Sequence, residues 1–204
     1  MFSSSIRKIC TPKKLAEEFA LSVKRNHLNL KYLPPSGDGL LVPIDIFQDV
    51  AAGFGLINMF PDTDGTLRWE SLYFNYHGFF IPSFTLEITS LYLGIPRERI
   101  LVDPAKGIYL GNKKFIPTDV YGRMLIPYFN DTRTLKKISA YKVLENQIRP
   151  EDIQGKIVLI GATAIGIYDL RVTPLTPVMP GVEKHAHVIG GILKNRFFHW
   201  LMIT

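Results

Sequence analysis

Cysteine is almost absent from this chain. Of 204 residues only Cys10 is a cysteine, so no disulfide can close within one copy, and the count fits any redox compartment. Nothing beside Cys10 in sequence would activate its thiol, which is therefore read as unreactive. No apolar run approaches the roughly 20 residues needed to cross a bilayer. Met1–Cys10 is too short and too polar for a secretory signal. The glycine-containing turn Ile160–Gly166 is neither a dinucleotide fingerprint nor a phosphate loop. There is no Gly-x-Ser-x-Gly elbow, and Ser83, Ser90 and Ser139 fall in or at the starts of expected helices, so no catalytic set is assigned. Nor is there a strong excess of either charge. The 24 basic and 18 acidic residues leave a net +6, with the cations scattered (Lys13, Lys24, Lys113, Lys136) rather than gathered on one element. That argues against a nucleic-acid partner. A mild basic excess suits a domain near an anionic membrane surface.

What is present is ordinary for a globular domain: 47% hydrophobic and 21% charged residues, with length enough for one full core. The most informative stretch is Gly155–Leu193. Lys156–Ile160 is a short apolar run ended by Gly161 and is expected to be a strand buried on both faces. Val182, Ala186, Ile189 and Leu193 share one face of a following helix. Asp169, Arg171, Thr173, Pro174 and Pro177 lie between them, where open α/β sheets hold ligands.

Elsewhere, Thr11-Pro12 is expected to open a helix over 13–25. Leu28–Leu33 and Gly53–Asn58 are expected strands, and Ile44–Ala52 a short helix. Leu67–Tyr76 is an expected long strand, antiparallel to Gly53–Asn58. Pro61–Gly65 is a turn. Pro82–Leu93 is a helix with Phe84, Ile88 and Leu91 on one face, stopped by Gly94. Tyr109–Phe115 is a hairpin with Gly111-Asn112 at its tip. Met124–Phe129 is a strand, and Ile138–Leu144 a short helix starting near Ser139. The fold class is α/β: one domain, a mixed sheet flanked by helices, closed by the strand–loop–helix unit.

Three clusters are candidate sites. Asp62-Thr63-Asp64-Gly65 begins like a calcium loop, but Thr66, Leu67 and Arg68 follow where oxygen ligands are needed; a structural turn paired to Arg68 is favoured. Glu183 and His187 have zinc-like spacing, but His185 lies on another flank and no third ligand is evident, so no metal is assigned. Pro180-Gly181 opens the last helix, whose free N–H groups suit an anion, near Asp169 and Arg171. After Asn195-Arg196 comes Phe197–Ile203, an aromatic-rich apolar run with Trp200, read either as a membrane helix beginning or as a buried tail.

In order along the chain stand Gly53-x-Gly55-x-x-Asn58, Asp62-x-Asp64-Gly65-x-x-Arg68 and Pro82-Ser83. Ile116-Pro117-Thr118-Asp119-x-x-Gly122, Ile138-Ser139-x-x-x-Val143-Leu144 and Gly155–Ala164 follow. Asp169, Thr173-Pro174 and Met179-Pro180-Gly181-Val182-Glu183-x-His185-Ala186 complete the set. In this order and spacing, over about residues 50 to 195, the chain resembles the CHASE-type-two sensor domains of bacterial membrane receptors. The resemblance implies an extracytoplasmic domain between membrane helices, fused to an adenylate or guanylate cyclase, a histidine kinase or a similar output. It also implies that the chain is N-terminally truncated and that Phe197 opens a membrane helix. His187 stands where relatives commonly carry Asn.

The expected organisation is residues 1–11 as a flexible N-terminus, 12–196 as the sensor domain and 197–204 as a membrane-helix start or tail. Candidate ligand-binding residues are Asn58, Arg68, Asp119, Thr163, Asp169, Thr173, Glu183 and His185. The expected partners are an unidentified small molecule or ion, the membrane through flanking helices, and a second copy; no cofactor and no catalysis are assigned. The alternative is a soluble hydrolase-like enzyme using Asp169 and His185 as acid–base partners. A third reading is a module that sets dimer geometry without a ligand.

Overall fold

Every element of this fold can be traced to where its backbone hydrogen bonds go. The computed structural model describes residues 11–129, 135–163 and 169–198. Cys10, the end of the Ile160–Gly166 turn and the tail from His199, Trp200 included, lie outside the described residues.

Helix α1 (Pro12–Phe19) opens as its sequence dictates. Thr11 Oγ1 accepts the Lys14 N–H at 3.4 Å, Pro12 fills the first turn, and Leu15, Ala16 and Phe19 are buried. The helix stops at Phe19 rather than Arg25. The Leu21 N–H is taken by Phe80 O and the Lys24 N–H by Val102 O, which draws Ser22–Val23 out as strand β1. Leu28–Leu33 is not a strand. It follows a 3-10 turn whose last bond runs from Leu28 N–H to Arg25 O, and Leu30 stands in solvent. The short helix α2 (Asp45–Gln48) falls inside the expected range.

The expected pairing of Gly53–Asn58 with Leu67–Tyr76 does not form. Gly53–Asn58 contributes only an isolated parallel bridge, Leu56 to Ser83. The long strand divides at Leu72 into β2 (Trp69–Ser71) and β3 (Tyr73–Tyr76). Strand β3 turns back at once on β4 (Phe79–Pro82). The two turn residues, His77 and Gly78, both have positive φ, 49° and 85°, the geometry of a tight two-residue hairpin. A local antiparallel partner two residues away outcompetes a distant one, because it closes a shorter loop.

Helix α3 (Phe84–Tyr92) has Ser83 as its cap, the hydroxyl accepting from Leu86 N–H at 3.2 Å. Gly94, at φ 63°, ends it as expected. Its buried face is not the expected one. Leu91 is 46% exposed, while Thr85, Leu86, Thr89 and Ser90 are buried. Thr89 and Ser90 hydroxyls donate to the carbonyls of Thr85 and Glu87, so these residues enter the interior with their polarity satisfied.

Strands β5 (Ile100–Asp103), β6 (Gly107–Leu110) and β7 (Lys114–Pro117) form an antiparallel meander. β1 joins β5 in parallel, which gives a mixed four-stranded sheet in the order β1-β5-β6-β7. The expected hairpin is the β6–β7 turn. Strand β8 (Arg123–Leu125) pairs antiparallel with β2. Helix α4 (Ala140–Leu144) follows Ser139 and buries none of its residues. Strands β9 (Leu170–Arg171) and β10 (Met179–Pro180) close a small ladder ahead of helix α5 (Gly181–Leu193). One core unites sheet and helices: Leu72, Leu86, Val102, Ile108, Ile116, Val188 and Ile192 belong to a single apolar cluster. The molecule is thus a mixed α/β domain.

The closing strand is a correction. Among the described residues Lys156–Ile160 pairs with no strand. Val158 is 54% and Ile160 95% exposed, while Ile157 and Leu159 are half-buried. The alternation is that of an extended segment touching the body with one side. An apolar run alone cannot tell that arrangement from burial on both faces.

Candidate functional site

Strand β2, helix α3 and helix α5 meet at a buried polar junction. Glu70 points inward from β2 and is 3% exposed; Lys184 sits on the first turns of α5 and is fully buried. Lys184 Nζ lies 2.7 Å from Glu70 Oε2. The other carboxylate oxygen, Oε1, accepts the Thr85 hydroxyl at 2.7 Å, and Thr85 is in turn bonded to Ser83 Oγ at 2.9 Å. Lys184 Nζ also donates to His185 Nδ1 at 3.1 Å. An ammonium can only donate, so the ring proton of His185 resides on Nε2. The His185 ring meets Phe84 edge-on at 5.2 Å.

Burial pushes the Lys184 ammonium down from its ordinary range, and the Glu70 carboxylate works against that shift. Burial, then the Lys184 and Arg171 charges, push His185 down to about 3. His185 is therefore neutral near pH 7.

Above this junction lies the N-terminus of α5. Its Gly181 N–H donates to Asp169 O at 2.9 Å. The Asp169 carboxylate occupies the space a side chain at 181 would need, since a Cβ there would stand 2.4 Å from Oδ2. Carboxylate and helix N-terminus attract each other. Asp169 also binds Arg171 at 3.0 Å, and Arg171 Nε reaches Met59 Sδ at 3.3 Å. Val182 packs against Gly161.

The candidate residues divide into two groups. Asp169, Glu183 and His185 lie on or beside the first turns of α5, each with its own partner: Asp169 with Arg171, His185 with Lys184, and Glu183 with Lys137 at 2.7 Å. Thr173 is buried beneath the same loop, its hydroxyl bridging Thr176 O and N–H. Asn58 and Thr163 are exposed and neighbour this region along the chain, next to Met59 and two residues after Gly161. Arg68 and Asp119 lie elsewhere. Arg68 is held by Asp62 and Asp64 at 2.8 and 2.7 Å, the turn expected in place of a calcium loop. Asp119 accepts the N–H groups of Tyr121 and Arg123 and pairs with the Arg123 guanidinium.

The acid–base couple of the hydrolase alternative is not assembled. Asp169 is engaged by Arg171, and His185 Nδ1 by Lys184. His187 meets Phe129 and Tyr128 edge-on at 4.4 and 5.4 Å, its Nδ1 accepts the Phe129 N–H at 3.4 Å, and the Glu183 and Lys137 charges act on it from nearby. Among the described residues no three His, Cys, Asp or Glu side chains gather as metal ligands. A groove of about 320 Å³ runs between Ala20–Val23 and Gly78–Phe80, and no candidate residue lines it.

Glu70, Thr85 and Lys184 were not legible as a site in the sequence. The signal for Lys184 was its place on the stripe Lys184, Val188, Ile192, which is the fully buried stripe of α5. The neighbouring stripe Val182, Ala186, Leu193 competes with it in apolar content and is only half-buried.

The Gly53-x-Gly55 motif also acquires a reason. A Cβ on Gly55 would stand 2.5 Å from the Phe84 backbone, and one on Gly53 2.3 Å from Glu87 Oε1. These glycines let the chain lie against the start of α3.

The sequence profile of the CHASE2 domain matches residues 3–204. No curated protein and no solved structure matches the chain. A profile spanning essentially all of the polypeptide is consistent with the ordered motifs and with the single mixed α/β domain they build. The chain belongs to the CHASE2 domain family, a family of extracytoplasmic sensor domains.

Proposed function

We propose that this chain is the ligand-sensing part of a bacterial membrane receptor, catalytically silent itself and coupled to a cyclase, histidine kinase or similar output. The ligand, a small molecule or ion, binds at the N-terminal end of α5, where Asp169, Glu183 and His185 gather and Thr173, Asn58 and Thr163 lie near. Binding there shifts α5, and α5 passes the change toward the membrane. The observation that carries this reading is the seating of α5. Its first turns touch the Asp169 loop and are tied by Lys184 to β2 and α3, and its far end adjoins the Phe197 tail.

The helix does not run unbroken into that tail. It ends at Leu193, where Lys194, Asn195 and Arg196 N–H groups bond back to Gly190, Ile192 and Gly191 carbonyls. Asn195 has φ 53°, and Lys114 Nζ binds both Leu193 O and Asn195 Oδ1 at 2.9 and 2.7 Å. A capped joint therefore stands between lever and tail. Among the described residues no helix is long and apolar enough to cross a membrane. A ligand acts only by binding two arrangements unequally, so perturbing the seat of α5 should change output without any ligand. Gly191→Ala in the full-length receptor is expected to alter basal signalling, while Leu144→Ala on exposed α4 leaves it unchanged. Equal output from both would refute transmission through α5.

A further inference from the structure

We infer that the Glu70–Lys184 pair fixes the register of α5 against the domain, acting as a specificity latch rather than as a source of stability. The pair lies where β2, α3 and α5 meet, and both side chains are almost wholly buried. Around it stand Thr85 and Ser83 from α3, His185 from α5 itself, and the Asp169–Arg171 pair from the preceding loop. Val188 and Ile192 follow Lys184 at successive intervals of four as the apolar centre of the face that α5 turns inward, with the buried His185 and His187 on its flanks.

An apolar stripe repeats every turn, so the packing of Val188 and Ile192 by itself does not distinguish one seating of the helix from another displaced by a turn. A single buried ammonium does. Slid by one turn, it would leave Glu70 for an apolar surface and strand two buried charges. Buried ion pairs often add little net stability, because desolvation offsets their attraction, yet they can select one register among several. Gly191 against Pro127 and Gly181 against Asp169 mark the same seating by shape at the two ends of α5, and the latch marks it by charge in the interior. This inference goes beyond the sensing role, and its test is independent of any ligand or output domain.

The test compares thermal melting and amide exchange of α5 in the purified chain. Lys184→Met alone strands the Glu70 carboxylate and should lower Tm by roughly 10 °C. The apolar double variant Glu70→Leu/Lys184→Met should regain the wild-type Tm within about 3 °C, or exceed it, yet exchange its 182–192 amides at least about tenfold faster. The reversed pair Glu70→Lys/Lys184→Glu should bring slow exchange back. Wild-type exchange in the apolar double variant would overturn the latch. So would a double variant no more stable than Lys184→Met, or failure of both double variants to fold, since the pair would then be a stabilising contact and nothing more.

Discussion

Gly191 lies flush against the ring of Pro127: a Cβ on it would stand 2.2 Å from Pro127 Cγ. Its neighbour Gly190 has more room, with the closest atom, Phe129 Cζ, at 3.3 Å. Both glycines sit inside a helix, where each weakens helix formation by about 1 kcal/mol relative to alanine. The two alanine variants should therefore differ in sign. Gly190→Ala is expected to be neutral or to stabilise by up to about 1 kcal/mol. Gly191→Ala should destabilise by about 1–3 kcal/mol through overpacking against a proline ring that cannot swing aside. Urea unfolding of the two variants checks this, and equal midpoints would contradict the close seating of α5.

Thr85 should matter through its hydroxyl. Thr85→Val keeps the shape but removes the donor to Glu70 Oε1, a buried carboxylate oxygen. The expected loss is about 1–3 kcal/mol in equilibrium unfolding. Thr63→Val, in the Asp62–Gly65 turn, is the control and should change stability by less than about 0.5 kcal/mol.

His185 should make the fold acid-sensitive. The unfolded chain takes up a proton at this residue near pH 6.5, the folded chain only near about 3. Between those values the unfolded state binds more protons. Stability is then full above pH 6.5 and falls as the pH drops, by at most about 1.4 kcal/mol per unit from this group. His187, also pushed down by burial, adds to the fall. His185→Gln keeps an acceptor for Lys184 without titrating, so the drop in Tm between pH 7 and 5 should shrink in that variant. An unchanged drop would place the acid sensitivity elsewhere.

Asp103 acts at lower pH. It is fully buried at the end of β5, bound to His27 at 2.8 Å and Lys24 at 3.2 Å. Burial raises its pKa, but the bonds from His27, Lys24 and the Ala105 N–H outweigh it and hold the carboxyl below its ordinary value. Its contribution is present above the usual carboxylate range and is lost as the pH falls through that lowered value. Asp103→Asn should cost about 1.5–3 kcal/mol at pH 7, with the gap from wild type narrowing in strong acid. A gap that stays constant with pH would refute the charged role.

The elements that were legible in the sequence are those specified locally. Thr11-Pro12 marks α1, Ser83 and Gly94 bracket α3, and Gly111 marks the β6–β7 turn, because each signal acts on its own turn of chain. What escaped depended on distant partners. The reach of α1 was cut by bonds from β4 and β5. Among the described residues Lys156–Ile160 pairs with no strand, and Val158 faces outward. At the candidate site, the half-buried Asp169 and Glu183 and the buried His185 could be read as a polar loop meeting a helix start. Glu70, Thr85 and Lys184 were not, since 114 residues separate the ion-paired partners and each alone reads as an ordinary polar residue.

The most direct test of the sensor reading is the side of the membrane on which the domain lies. In the full-length protein with its native cysteines replaced by serine, Cys10 included, Ile160→Cys places a thiol on a residue that is 95% exposed. A membrane-impermeant maleimide added to intact cells should label it fully, with no gain on permeabilisation. Labelling only after permeabilisation would put the domain in the cytoplasm and contradict the account.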